Sequence, residues 1–189
     1  MSNVGSDSPP QRAPWWWYPE PRRAGRDMAA QPFTELAPGQ RWFRAIDVDA
    51  PTDTVFEWLA QLRVAPHSYD LLDNYGRRSP QTLDRSLADV QVGDSVMRIF
   101  TVTAVVQGAS MTLRMNDGTP TRLFGRLSLH YGVDRLGDGS LLSAQLVVPP
   151  ASGPFKGLRQ YALAWGDLVM MRRQLMELKR LAEKTAAGS

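Results

Sequence analysis

The feature that most constrains the fold is a change of hydrophobic period in the second half of the chain. After Gly93 the sequence runs through β-rich segments, and it then takes up a helical period that lasts to Lys184. The β-rich segments are Val96–Val106, Met111–Met115, Leu123–Tyr131 and Leu141–Val148. They are separated by turn signals such as Asn116-Asp117-Gly118, which are typical of hairpins. The pattern therefore predicts consecutive antiparallel strands.

The strand-like segments also predict which side of the sheet is dry. In the third segment, Leu127, Leu129 and Tyr131 fall on one face, and His130 falls on the other. Such alternation is typical of a sheet with one face on a core and one face toward water. His130 is thus predicted to lie on the outer face and to take no part in catalysis.

The helical period begins near Leu158 and ends near Lys184. Its apolar stripe is made up of Tyr161, Ala164 or Trp165, Leu168, Met171, Leu175 and Leu178. At 1.5 Å per residue the helix is about 40 Å long, enough to cross a whole sheet. Gly166 lies inside it, and this glycine either permits a close backbone approach or bend, or has no consequence.

A strand and two short helices are predicted before the hairpins. Trp42–Val48 reads as the first strand, and Arg44 shares its apolar face. Pro51 then opens a short helix that Pro66 ends, and a second short helix is predicted around Tyr69–Asn74. The fold class is accordingly α+β of the helix-grip kind, with a curved antiparallel sheet wrapped around a long C-terminal helix and two short helices after the first strand.

The chain divides into an arm at 1–40, a domain at 41–184 and a flexible tail at 185–189. The arm is rich in proline and has little apolar periodicity, so an extended or disordered segment that the domain does not need for folding is predicted. Its unusual feature is the run Trp15, Trp16, Trp17 and Tyr18. Four adjacent aromatic residues mark an interaction. Either the arm folds back across the domain, or it docks on a second subunit of a homodimer or on another partner. Insertion into a membrane surface is less favoured, because the flanking sequence lacks an amphipathic helix.

Composition excludes several functional classes. The formal net charge of +3, from 22 Lys and Arg against 19 Asp and Glu, is spread along the chain and does not favour nucleic-acid binding. With no cysteine and only two histidines, no metal site is expected. No stretch has the roughly 18 apolar residues of a membrane span. We expect a cytoplasmic protein without integral membrane association and without a cofactor.

Several segments carry a family resemblance. They are the strand-to-helix junction Ile46–Leu59, the segment Ser68–Pro80, Val92-Gly93-Asp94 before the hairpins, and the amphipathic final helix. Over roughly residues 41–184 the chain resembles the SRPBCC superfamily. This fold is also described as START or birch-pollen-allergen-like, and the superfamily includes polyketide cyclase/dehydrase-like proteins. The resemblance implies a cavity between the sheet and the last helix that admits a lipid, a polyketide or another apolar molecule.

The predicted lining of that cavity draws on every part of the domain. It comprises Tyr69, Tyr75, Met97, Leu113, Leu129, Tyr131, Tyr161, Trp165 and Leu168. Pockets of this kind are mostly apolar and contain few polar groups. An apolar small molecule is therefore the expected ligand.

The segment Ser68–Pro80 concentrates the groups that could do chemistry. Tyr69 and Asp70 are the candidate catalytic residues, because a tyrosine could hydrogen-bond a ligand carbonyl while an aspartate polarises it. The alternative is structural, with Asp70 and Asp73 forming ion pairs to Arg77 and Arg78.

Three functions stay open on the sequence alone. The first is a module that binds an apolar small molecule. The second is an enzyme of the cyclase/dehydratase type that uses tyrosine, aspartate or arginine as acid–base groups. The third is an interaction protein that acts through the tryptophan-rich arm.

Overall fold

A sheet of seven strands and one long helix make up most of the described chain. The computed structural model describes residues 13–18, 39–64, 81–118, 121, 125–149 and 155–188. The strands are β1 (Trp16–Trp17), β2 (Gln40–Val48), β3 (Ser95–Val96), β4 (Phe100–Val106), β5 (Ser110–Met115), β6 (Ser128–Leu136) and β7 (Gly139–Val148). The α-helices are α1 (Thr52–Ala60) and α2 (Lys156–Ala187), and short 3₁₀ helices cover Gln61–Arg63 and Arg85–Leu87.

The strand order is β1-β2-β7-β6-β5-β4-β3, and every pair is antiparallel except β1 with β2. The curved sheet and the long C-terminal helix form the helix-grip arrangement that the order of elements predicts. β7 lies between β2 and β6, and all ten of its residues are buried. The β6–β7 hairpin turns at Gly137, whose φ of 61° is one that tight hairpin turns require and that glycine adopts without strain.

The core lies between the inner face of the sheet and α2. Trp42, Ile46 and Val48 project from β2 into this core, as the alternation along that strand predicts. The inward face of α2 contributes apolar residues at helical spacing, namely Ala164, Leu168, Met171, Leu175, Leu178, Leu181 and Ala182. α1 packs on the later part of α2, where Trp58 Nε1 donates to Thr185 Oγ1 at 3.0 Å. The helix ends at Ala187, three residues past its predicted end at Lys184.

Two strands differ from their predicted bounds. The run predicted as Val96–Val106 is broken into β3 and β4, because Met97 and Arg98 take left-handed backbone conformations with φ of 49° and 62°. β6 begins at Ser128 and continues to Leu136, five residues beyond the predicted end at Tyr131. Non-glycine residues rarely adopt positive φ, so the sequence carries no sign of the first break.

Residues of the N-terminal arm belong to the sheet. β1 runs parallel to β2, with Trp16 opposite Phe43, and Phe43 N donates to Trp15 O at 2.8 Å. The Trp16 ring stacks on Phe43 with 4.5 Å between ring centroids, and Tyr18 Oη donates to Asp47 Oδ1 at 2.6 Å. Of the alternatives for the aromatic run, the structure shows the fold-back onto the domain. A strand this short, set among prolines, has no measurable period, so composition indicated an arm outside the domain.

Within the described ranges, no helix combines the length and the apolar character needed to cross a bilayer.

Candidate functional site

A buried arginine lies between β2 and α2. Arg44 lies between Trp42 and Ile46 on the inner face of β2 and is only 1% exposed. Its Nη2 donates to Asp167 Oδ2 at 2.8 Å, and its Nη1 donates to Phe43 O at 2.9 Å. Among the described residues, its buried Nε finds no hydrogen-bond acceptor. A charge held in an apolar interior with one donor unused is costly.

Asp167 brings the opposite charge from α2. It lies on the inward side of the helix, three residues after Ala164 and four before Met171. Burial raises the pKa of Asp167 to about 6, although the positive charge of Arg44 and its hydrogen bond act in the other direction. Burial likewise lowers the pKa of Arg44, and Asp167 offsets this only in part. For both partners the cost of burial exceeds the gain from pairing, so stability alone does not account for the pair.

A second polar contact lies between β6 and α2. Tyr131 is fully buried, and its Oη donates to Gln174 Oε1. Gln174 Nε2 lies 3.5 Å from Met97 Sδ, and Tyr131 Oη lies 4.0 Å from Met171 Sδ. Burial and the charge of Asp167 both raise the pKa of Tyr131, which keeps its hydroxyl protonated. Asp167 thus acts electrostatically on both contacts.

Arg44, Tyr131, Asp167 and Gln174 are called the inner polar cluster below. Apolar side chains of the sheet and of α2 make up the core in which it is embedded, and they include Trp42, Ile46, Leu113, Leu129, Met171 and Leu175. A few fixed polar groups among apolar walls is the usual composition of a small-molecule site. The cluster can hold a hydrogen-bond acceptor at Arg44 and can accept or release a proton at Asp167.

The structure divides the predicted lining residues into two groups. Leu113, Leu129 and Tyr131 are buried on the inner face of the sheet, and Leu168 is buried on α2, while Met97 is partly buried against the core. Tyr161 and Trp165 lie instead on one flank of α2 and are 45% and 42% exposed. Their rings meet edge to face with 6.2 Å between centroids.

The remaining candidates lie outside the described residues. They are Tyr69, Tyr75, the candidate catalytic residue Asp70, and the proposed ion-pair partners Asp73, Arg77 and Arg78. Their roles stay predictions.

His130 lies on the opposite face of the sheet from the inner polar cluster. Its Nδ1 lies 2.9 Å from Thr112 Oγ1, and burial lowers its pKa to about 4. The imidazole is therefore neutral at physiological pH.

Sequence reasoning missed Arg44, Asp167 and Gln174 as site residues. Each of them interrupts an otherwise apolar face, Arg44 on a strand and the other two on the helical stripe. A polar residue at an apolar position of a regular pattern is the signal that could have found them. Gly166, by contrast, permits no close approach, because a Cβ there would meet no atom within 4 Å in the described part of the chain.

Two further features of the described residues bear on the site. No group of three or more His, Asp or Glu side chains among them could hold a metal ion. A surface groove of about 720 Å³ lies toward the C-terminal end of α2, lined by Trp58, Leu181, Lys184 and neighbours from residues 81–85. None of its lining residues belongs to the inner polar cluster.

Comparison with known proteins finds likeness in structure only. No protein-family model matches the chain, and no curated protein matches it. A protein from Nitrosospira multiformis is 13% identical with a TM-score of 0.49, over 78% of this chain and 99% of the other. Ara h 8.0201 is 9% identical with a TM-score of 0.47, over 79% of this chain and 98% of the other.

The third comparison concerns a protein with two domains. The ARO/CYC protein StfQ from the steffimycin biosynthetic pathway is 15% identical with a TM-score of 0.46, over 79% of this chain. The match spans 52% of StfQ, about half its length. The helix-grip architecture, which the SRPBCC resemblance implies, therefore rests on the strand order and the long helix of this chain itself.

Proposed function

We propose that the protein binds an apolar small molecule between the inner face of the sheet and α2, and that the molecule offers a hydrogen-bond acceptor to Arg44. The observation that carries this proposal is the unused Nε donor of a guanidinium that is 1% exposed. A guanidinium has five N–H donors in a fixed plane. The two hydrogen bonds to Asp167 and Phe43 leave several of them for a ligand.

Energetics favour an acceptor at this position. A buried donor without a partner costs about 1–3 kcal/mol, and bonds to charged groups contribute about the same amount when they form. A ligand carbonyl, ether or carboxylate oxygen beside Arg44 would remove that cost. The ligand's apolar body would lie against residues such as Leu113 and Leu129, and the flexible thioethers of Met97 and Met171 could adapt to its shape.

The experiment compares two probes that differ only in the acceptor. Displacement of a bound apolar dye is measured with acetylnaphthalene, which carries a carbonyl, and with ethylnaphthalene, which does not. We expect the wild-type protein to prefer acetylnaphthalene by about ten-fold, the equivalent of about 1.4 kcal/mol. The preference should disappear in Arg44→Met and persist in the matched control Arg114→Met, which removes an exposed arginine of β5.

The two parts of the proposal fail separately. If neither probe displaces the dye, the protein does not bind apolar molecules of this class. A protein that binds both probes equally well, with or without Arg44, has a pocket in which Arg44 plays no part.

Catalysis is a second candidate, favoured by the raised pKa of Asp167. A carboxyl with a pKa of about 6 can exchange protons near neutral pH, which is what a general acid or base of a cyclase/dehydratase needs. Mass spectrometry of the products from a short poly-β-ketone would test this role. The Asp167→Asn protein should then still bind the poly-β-ketone but form no product.

A further inference from the structure

One flank of α2 presents an apolar surface to solvent, apart from the inner polar cluster. We propose that this flank docks on the surface of an anionic lipid bilayer. It consists of Leu158, Tyr161, Trp165, Val169 and Met176, which are 68%, 45%, 42%, 48% and 48% exposed. It is called the α2 flank below.

Helical spacing places these residues on one side of α2. They follow one another at intervals of three, four, four and seven residues, which keeps them on the same side of an α-helix. From Leu158 to Val169 the apolar surface is contiguous over about 17 Å at 1.5 Å per residue, and the exposed Arg172 and Arg173 separate it from Met176. Single exposed apolar residues are ordinary, but contiguous apolar surface of this length marks a binding surface.

The exposed charges along the α2 flank have one sign, and the first carboxylate beyond it is Glu177, directly after Met176, which pairs with Arg180. From Phe155 to Met176 the exposed charged residues are all cations, namely Lys156, Arg159, Arg172 and Arg173. Asp167 is the single acidic residue of this stretch, and its carboxylate is turned inward to Arg44. Cations beside an apolar stripe complement a surface of anionic headgroups above an acyl layer.

Two tryptophans of the N-terminal segment lie alongside the flank. The Trp15 ring meets Tyr161 edge to face with 6.0 Å between centroids, and the guanidinium of Arg172 lies 5.8 Å from the Trp17 ring centre. Both tryptophans are partly exposed. Tryptophan and tyrosine concentrate at membrane–water interfaces because their rings are apolar and their polar atoms can stay hydrated.

The charge pattern argues against a second copy of this chain as the occupant. Two α2 flanks placed face to face would bring Lys156, Arg159 and Arg172 of one chain close to the cations of the other. Such like-charge contacts disfavour association. A bilayer of anionic lipid has the opposite charge and matches a convex, apolar helix side that lies in the interface without spanning it.

The test uses the full chain and vesicles of two compositions. Co-sedimentation is measured with phosphatidylcholine vesicles and with vesicles that also contain phosphatidylserine, at low and at high salt. We expect binding to the mixed vesicles, little binding to phosphatidylcholine alone, and a loss of affinity as salt screens the headgroups.

Variants separate the two components of the surface. Leu158→Ser, Trp165→Ser and Val169→Ser combined should weaken vesicle binding by at least about ten-fold, because they remove the inserted apolar area. Lys156→Gln with Arg159→Gln should weaken binding by about five-fold for each charge. All these residues are exposed, so the melting temperature should change little.

Matched controls carry the same chemistry elsewhere. Val92→Ser with Val106→Ser removes apolar residues that are 63% and 61% exposed, and Arg114→Gln with Arg135→Gln removes exposed cations of the sheet. Both control proteins should bind vesicles as the wild type does. The proposal is overturned if the wild type does not bind the mixed vesicles, if the flank variants bind as tightly as their controls, or if the flank mediates self-association in analytical ultracentrifugation.

Discussion

At the scale of single residues, Arg44 and Asp167 form an ion pair in which burial disfavours the charged form of each member. Burial raises the pKa of the Asp167 carboxyl to about 6, and the guanidinium of Arg44 is 1% exposed with one donor unused. Breaking such a pair leaves a buried charge alone, whereas replacing both members with apolar residues removes the problem. A single substitution should therefore destabilise the fold more than substitution of both residues.

We expect Asp167→Leu to lower the free energy of unfolding by about 3–5 kcal/mol, because Arg44 then remains buried without its counter-charge. The double variant Arg44→Leu with Asp167→Leu should recover most of that loss. Urea denaturation of the three proteins measures both effects. A double variant no more stable than the single one would show that the pair stabilises the fold by itself.

The raised pKa of Asp167 also predicts how stability depends on pH. With a pKa of about 6 in the folded state against 3.8 in the unfolded state, the folded protein holds the proton more tightly between these values. The contribution of Asp167 to the free energy of unfolding is thus fully present below about pH 4. It is lost as the pH rises to about 6, a change of roughly 3 kcal/mol.

Denaturation of wild type and Asp167→Asn across this range checks the slope. The difference between the two proteins should grow toward acid pH in favour of the wild type. His130 contributes with the opposite sign, because its pKa is lowered to about 4 and its contribution is lost as the pH falls below about 6.5. That histidine is present in both proteins, so it cancels in the difference. Parallel curves would mean that Asp167 titrates normally.

At the scale of elements, the N-terminal strand β1 is the part that sequence reasoning placed outside the domain. Its two residues contribute to both sides of the sheet, with Trp16 stacked on Phe43 outside and Trp17 packed against the core inside. Trp15–Tyr18 are all aromatic, so the sequence shows no apolar–polar alternation that would indicate a strand.

We expect Trp16→Ala to lower the free energy of unfolding by about 1–3 kcal/mol, less than a fully buried tryptophan because Trp16 is partly exposed. Tyr18→Phe removes only the hydrogen bond to Asp47 and should cost about 1 kcal/mol. A protein that starts at Gly39 should lose more than either variant. Thermal and urea unfolding of all three proteins measures these losses. Stabilities equal to that of the wild type in all three would show that β1 does not stabilise the fold.

At the scale of the whole molecule, the order of strand, helix, hairpins and long helix could be predicted because each element has its own local period. The helix-grip fold is confirmed in the arrangement of β2, the hairpin strands and α2. The inner polar cluster could not be predicted in the same way. Arg44 and Asp167 are 123 positions apart, and only the completed register of the sheet against the helix brings them together. Local patterns carry no information on such long-range pairing.

The strand order has a consequence for the solubility of this protein at high concentration. Among the described strands, the two at the ends of the sheet, β1 and β3, are each two residues long. Unpaired N–H and C=O groups along a long flat edge recruit strands from other chains and seed fibrils, and very short end strands offer little template. β1 pairs with Phe43 and Arg44 of the nine-residue β2, and loss of β1 would open these two positions to such recruitment. We therefore expect the short aromatic strand to reduce aggregation at this edge.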